Sequence, residues 1–300
     1  MSIDSFLKEK DKIKISLLEF VEDEDVNDLN YQNKIKHFVD HNFLNNQQDI
    51  TLILYFLSKI SKKHLHTKRF LFNVRCFFQF FKDSIKKYIE NYDLFNLFQN
   101  DKRIFLLLIE EKILFIDEQI SLIMTTGQYI KDNYPLYFFP EINNFIQKTI
   151  AMKQNNDIWK QFQDFSKSLP ENYDKKRKIG ENDNYVCEII RNDSIDEFIT
   201  YVKQINLSLE SKIESSIFET NSILLRKSPT ILEYALFFES TKIIGYLLER
   251  KVKISSSLWI YSFYNKAYKV KHIKERNVII NNLSKKDLNN VSIEIDRLKE

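Results

Sequence analysis

Apolar residues recur at helical spacing through the first half of the chain. Residues 3–20 carry Ile3, Phe6, Leu7, Ile13, Leu17, Leu18 and Phe20, and the acidic run Glu22-Asp23-Glu24-Asp25 then reads as a turn. A second segment follows with Ile35, Phe38, Val39 and Phe43. Asp49 stands where a helix would be capped, ahead of Leu52, Ile53, Phe56, Leu57 and Ile60. The clearest period lies over 67–90. There Leu71, Val74, Phe78, Phe81, Ile85 and Ile89 step by three and four, and Lys82, Lys86 and Lys87 take the other face.

Shorter helices are expected from Leu94 to Phe98, after Asp101 through the apolar stretch Ile104 to Leu114, and from Asp117 through Ile123. Pro135 and Pro140 bracket a turn region, since proline ends helices and restricts the residue before it. From Lys153 onward the chain turns polar. We therefore expect a helical region over 1–150, a polar linker over 151–184, repeats over 185–280 and a charged tail over 281–300. The basic run Lys175-Lys176-Arg177-Lys178 reads as part of the solvated linker.

Three later stretches overlay without gaps: Ile189 to Val202, Ala235 to Leu248, and Tyr261 to Ile273. Each has two small or apolar residues, two variable ones, a polar turn residue (Asp193, Glu239, Asn265) and an apolar stripe. This is the order of a helix–turn–helix unit. Such a pair cannot bury both faces alone, so units stack and share a core. The fold class expected is all-α, a helical solenoid of stacked helix pairs in the C-terminal third.

The middle stretch resembles an ankyrin repeat. Thr230, Leu232, Ala235, Ile243, Ile244, Leu247 and Leu248 match that pattern at the right spacing. Ile231 replaces its proline, Glu233 its histidine, Glu239 its first glycine and Lys251 its second. The segment from Arg177 to Leu258 resembles a divergent protist (trichomonad-type) family of degenerate ankyrin-repeat proteins with a helical N-terminal region. DKRIFLLLIEEKIL and YPLYFFPEI resemble that region. The resemblance implies a protein-binding scaffold or adaptor without catalysis. It also implies that the residues ending each first helix line a helix-walled groove. Here these are Arg191 and Asn192, Phe237 and Phe238, and Phe263 and Tyr264, with Trp259 nearby. The aromatic members either face a partner or pack against a neighbouring unit.

Composition agrees with helices. The 300 residues include Gly 3 and Pro 4, too few for a fold rich in tight turns. Three scattered glycines exclude a Gly-rich phosphate loop. The 45 basic and 42 acidic residues leave a formal charge of +3, no strong field for nucleic acid or membrane. The competing reading is nucleic-acid binding through Lys59, Lys62, Lys63, Lys68 and Arg69. Cys76 and Cys187 lack metal or redox spacing, and His37 and His41 form a pair without further ligands. We expect a cytoplasmic, non-enzymatic protein with an unidentified protein partner, no cofactor, no metal and no membrane span.

Overall fold

The computed structural model describes residues 3–27, 29–42, 46–63, 67–143, 145, 160, 162, 164, 165, 167, 169–254 and 261. Among these the fold is all-α, with one isolated β-bridge between Lys212 and Thr230. No helix among them is long and apolar enough to cross a membrane. The chain divides into two compact units. One holds residues 1–181 with 220–222; the other holds 182–219 and the chain from 223 onward.

In the first unit, α1 (Ile3–Glu22), α2 (Tyr31–Asn42) and α3 (Gln47–Lys63) pack around α4 (Lys68–Tyr88). Val74, Phe78, Phe81 and Ile85 of α4 are buried as the period requires, but so are Phe70, Cys76 and Phe77. The buried face is wider than one stripe because α4 meets helices on several sides. Phe77 lies at the centre, its ring 6.4 Å from Phe20, 6.5 Å from Phe38 and 4.6 Å from Phe81. Burying a side chain of this kind contributes about 1.5–3 kcal/mol.

Asn73, polar and fully buried on α4, closes α1. Its amide Nδ2 donates to the carbonyls of Phe20 at 3.2 Å, Val21 at 3.1 Å and Asp23 at 2.8 Å. The last carbonyls of a helix lack partners within it, so a tertiary side chain supplies them here. At α3 the cap differs from expectation. Asn46, not Asp49, precedes the helix. The two exchange side-chain and backbone bonds, each at 3.1 Å, which moves the start back by one turn.

Next come α5 (Asn91–Phe98), α6 (Lys102–Glu110), α7 (Glu118–Met124), α8 (Gly127–Lys131) and α9 (Tyr134–Tyr137). Asp101 and Asp117 cap α6 and α7 through the amides of Ile104 and Ile120. The proline-bracketed region is not a surface turn: Pro135 sits in the first turn of α9, where its missing N–H costs nothing, and Tyr137 and Phe138 are buried.

The stretch read as a linker contains α10 (Tyr173–Ile179). Arg177, read as solvated, is instead buried: its Nη1 donates to both carboxylate oxygens of Glu141, at 2.9 and 2.7 Å. Tyr137 donates to the Arg177 carbonyl at 2.8 Å, and Tyr173 to those of Leu136 and Tyr137. Gly180 ends α10 with φ +73, and a Cβ there would lie 3.0 Å from Thr220 Oγ1 and 3.1 Å from Arg103 Cδ. The conformation favours glycine, and the close approach leaves no room for a Cβ without a shift.

The second unit contains α11 (Tyr185–Arg191), α12 (Ile195–Gln204), α13 (Ser222–Lys227, which begins at the unit boundary), α14 (Ile231–Phe237) and α15 (Thr241–Glu249). α11 pairs with α12 and α14 with α15; α11 then lies against α14, and α12 against α15. The turns within the pairs are alike. Asp193 (φ 48) and Glu239 (φ 56) are both left-handed, and the next amide, Ser194 or Ser240, donates back to Ile189 or Ala235. The second helices end the same way at Asn206 and Lys251, the later pair one residue shorter than the gapless overlay requires. The third overlaid stretch, apart from buried Tyr261, lies outside the described residues.

Two measurements test these assignments. Asn73→Ala removes the side-chain donor to the Val21 and Asp23 carbonyls, while Phe20 keeps the Asp23 amide, and urea titration should show a loss of about 2–3 kcal/mol. Glu239→Gly and Lys251→Gly relieve exposed left-handed residues. Each should raise stability by about 0.5–1 kcal/mol, read as an upward shift in Tm.

Candidate functional site

The residues singled out at the ends of the first helices meet where α11 lies beside α14. Arg191, in the last turn of α11, donates from Nη1 to the Asn182 carbonyl at 2.8 Å and to the Tyr234 hydroxyl at 2.7 Å. Its guanidinium carbon stands 5.9 Å from the centre of the Phe238 ring, within reach of a cation–π contact. Tyr234 and Phe238 are themselves 4.8 Å apart.

Not every member of the set reaches the surface. Phe237 is buried, 2% exposed, so it is a core residue and not a groove residue. Consecutive helical positions point about 100° apart, so of two adjacent rings in α14 one turns inward. Phe238 is half-buried and Asn192 is exposed. Trp259, Phe263 and Tyr264 lie outside the described residues.

Tyr234 is a member the sequence pattern did not single out. It is fully buried, and burial, reinforced by the charge of Glu219, raises its phenol well above the ordinary range. It is therefore a neutral hydrogen-bonding post for Arg191. The alternation of apolar and polar positions marked it only as core. Cys187 is likewise buried, and burial pushes its thiol up to about 12, against a smaller opposing effect of Arg191. A thiol so protonated at neutral pH is a poor nucleophile.

The loop ahead of α11 fixes the position of Arg191. Asn182 Nδ2 donates to the Glu214 carbonyl at 2.8 Å, and its backbone amide to Glu219 Oε2 at 3.3 Å. Ser216 donates to Asp183 at 2.6 Å. The Asn182 carbonyl that receives Arg191 is thus held in place by the 214–219 loop. On the other side, the Asp193 carboxylate accepts from the amides of Lys242 and Ile243, each at 3.1 Å, so it covers the N-terminus of α15. Ser240 Oγ donates to the Ile190 carbonyl at 2.5 Å. The result is a braced ledge of one guanidinium and one half-buried aromatic ring, with exposed Asn192 following Arg191 in the chain. It is suited to contact and hydrogen bonding, and no nucleophile and base stand together in it.

The other candidates are less concentrated. His37 and His41 lie on one face of α2 with rings nearly parallel, 6.0 Å apart, beside a groove of about 550 Å³. Among the described residues no group of three or more His, Cys, Asp or Glu is placed to hold a metal. Within the basic N-terminal set, Arg69 donates to the Val26 carbonyl at 2.5 Å, and Lys59 lies 5.3 Å from the Tyr55 ring. The chain matches no protein-family model, no curated protein and no solved structure.

Tyr234→Phe removes only the hydroxyl that receives Arg191. Stability by urea titration should fall by about 1–2 kcal/mol, with the helical circular dichroism retained.

Proposed function

We propose that the second unit is a degenerate ankyrin-like array, part of a helical solenoid, that binds a partner protein through the ledge of Arg191, Asn192 and Phe238. One observation carries this reading. The ankyrin pattern has glycine at two places where this chain has Glu239 and Lys251, and the backbone there is left-handed nonetheless. Glycine in such a pattern serves a positive φ. The side chains have diverged while the conformation that glycine would serve has stayed.

The stacking of α11 on α14 and of α12 on α15 supports the same reading. So does the capping box of Thr230 and Glu233, which opens α14 at the threonine of the pattern. Glu233 takes the place of the pattern's histidine and does a different job: its carboxylate accepts from the Thr230 amide at 2.7 Å. Binding through the ledge follows from its chemistry. Arginine and aromatic rings dominate binding hot spots, and a side chain already held in position loses little entropy on contact. The role is that of a cytoplasmic scaffold or adaptor, with no catalytic step.

The test places a photo-crosslinking amino acid at Asn192 of the full chain in cells, with the same group at exposed Thr200 of α12 as control. A partner crosslinked from 192 and not from 200 is expected, and Phe238→Ala should cut its capture about tenfold or more at a nearly unchanged Tm. Equal capture from both positions, or capture indifferent to Phe238→Ala, would remove the ledge as the binding surface.

A further inference from the structure

The first unit buries a cation that its neighbours do not serve. Arg103, in the first turn of α6, is 6% exposed. Among the described residues its Nε and Nη1 have no hydrogen-bond acceptor, and no carboxylate stands at ion-pair distance from it. The acceptors around it are taken. Gly180, whose Cβ position would lie 3.1 Å from Arg103 Cδ, gives its carbonyl to the amide and hydroxyl of Thr220, at 3.1 and 2.7 Å. The Tyr137 carbonyl accepts from Tyr173 and Arg177, and the Arg177 carbonyl from Tyr137. Glu110, seven residues on along α6, is held by Arg75 at 2.7 Å and Lys178 at 3.8 Å. A guanidinium cannot escape such a position by losing its proton.

Arg177 Nε is also buried without an acceptor. Burial raises the Tyr137 phenol, and the charges of Arg103 and Arg177 both oppose that rise, so the two guanidiniums stand about one hydroxyl. Unmatched donors are therefore in excess here: Arg103 Nε and Nη1 and Arg177 Nε, against Glu110 Oε1 as an acceptor without a hydrogen bond. Water would bring protons that need acceptors of their own, whereas an anion brings none. An anion also balances the charge of Arg103, which water does not. The packing is tight, since a Cβ at Gly180 would lie 3.0 Å from Thr220 Oγ1, and this favours a monatomic ion over phosphate or sulfate.

We propose that Arg103, with Arg177 Nε, forms a site for a buried chloride ion between α6 and α10, beside the turn at Gly180. The ion neutralises Arg103 and receives donors that the protein leaves unmatched, so the stability of the first unit depends on halide.

The experiment is thermal unfolding of the full chain with sodium chloride raised from zero to about 200 mM, sodium gluconate holding the ionic strength constant. Gluconate is too large for the site. Tm should rise saturably by about 3 °C or more in chloride or bromide. The chlorine-35 resonance should broaden in the presence of the protein and sharpen when bromide displaces it. Arg103→Met should lose both effects, and in gluconate it should melt no lower than the wild type, since a buried charge without a partner is gone. Lys175→Met, at an exposed cation of α10, should keep both effects. Should Arg103→Met not fold, Arg103→Lys keeps the charge without either unmatched nitrogen, and it should weaken chloride binding about tenfold or more. Equal Tm in chloride and gluconate, with no excess chlorine-35 linewidth, would overturn the proposal and leave these donors to water. A chloride effect that survives substitution of Arg103 would place the ion elsewhere and overturn it as well.

Discussion

Apart from α10, which ends at Gly180, several helices in this chain are stopped without glycine, and the structure depends on how that is done. After α6, α11, α12, α14 and α15 the backbone passes through one left-handed residue: Lys112, Asp193, Asn206, Glu239 and Lys251 in turn. Behind each, the following amide reaches back to the last turn, as Ile113 does to Leu108 and Val252 to Leu247. This 6→1 closure satisfies helix-end carbonyls and reverses the chain in very few residues. An L-residue in that conformation costs about 1–2 kcal/mol. The cost is offset where the residue after the turn is driven inward, and Ile113, Ser240 and Val252 are all buried.

That constraint explains why polar residues in the turns do more than face water. Asp193 is left-handed, and its short carboxylate also covers the N-terminus of α15 in the next helix pair. Glu239, at the equivalent point of the second pair, has the same backbone conformation and an exposed side chain. Strain in the first turn is therefore compensated by a contact between pairs, and the two pairs become interdependent in folding. Non-local contacts of this kind let two helix pairs pack when neither can bury its faces alone.

Much of the architecture was legible in the sequence, because the spacing of apolar residues carries it. Val74, Phe78, Phe81 and Ile85 specify α4 by spacing alone, and the overlay of 189–202 on 235–248 places Asp193 on Glu239 where both turns occur. The candidate site was half legible. Arg191 and Phe238 are brought together, with Asn192 exposed next to Arg191 in sequence, yet Phe237 is core. A pair of adjacent aromatics carries no mark of which ring turns inward; that depends on the rotation of α14 against its neighbour.

Buried charge was the least legible feature, since Lys and Arg runs read as solvated by default. Lys102 is 1% exposed between the rings of Tyr134 and Tyr137, each 5.3 Å from its ammonium. Arg177, in a run of four cations, is the one that is buried, and it pairs with Glu141. Desolvating such groups costs several kcal/mol, which only specific partners repay. Tyrosine rings supply part of that repayment: Tyr134 and Tyr137 flank Lys102, and the Tyr173 ring lies 5.5 Å from the Arg177 guanidinium carbon, while burial keeps the phenols of Tyr137 and Tyr173 neutral. The tyrosine content that reads in the sequence as generic aromatic bulk thus allows cations at α6 and α10 to sit inside a helical core. With tyrosine and asparagine satisfying buried groups, as Asn73 does at α1, helices in a chain nearly free of glycine can pack with polar side chains inside them.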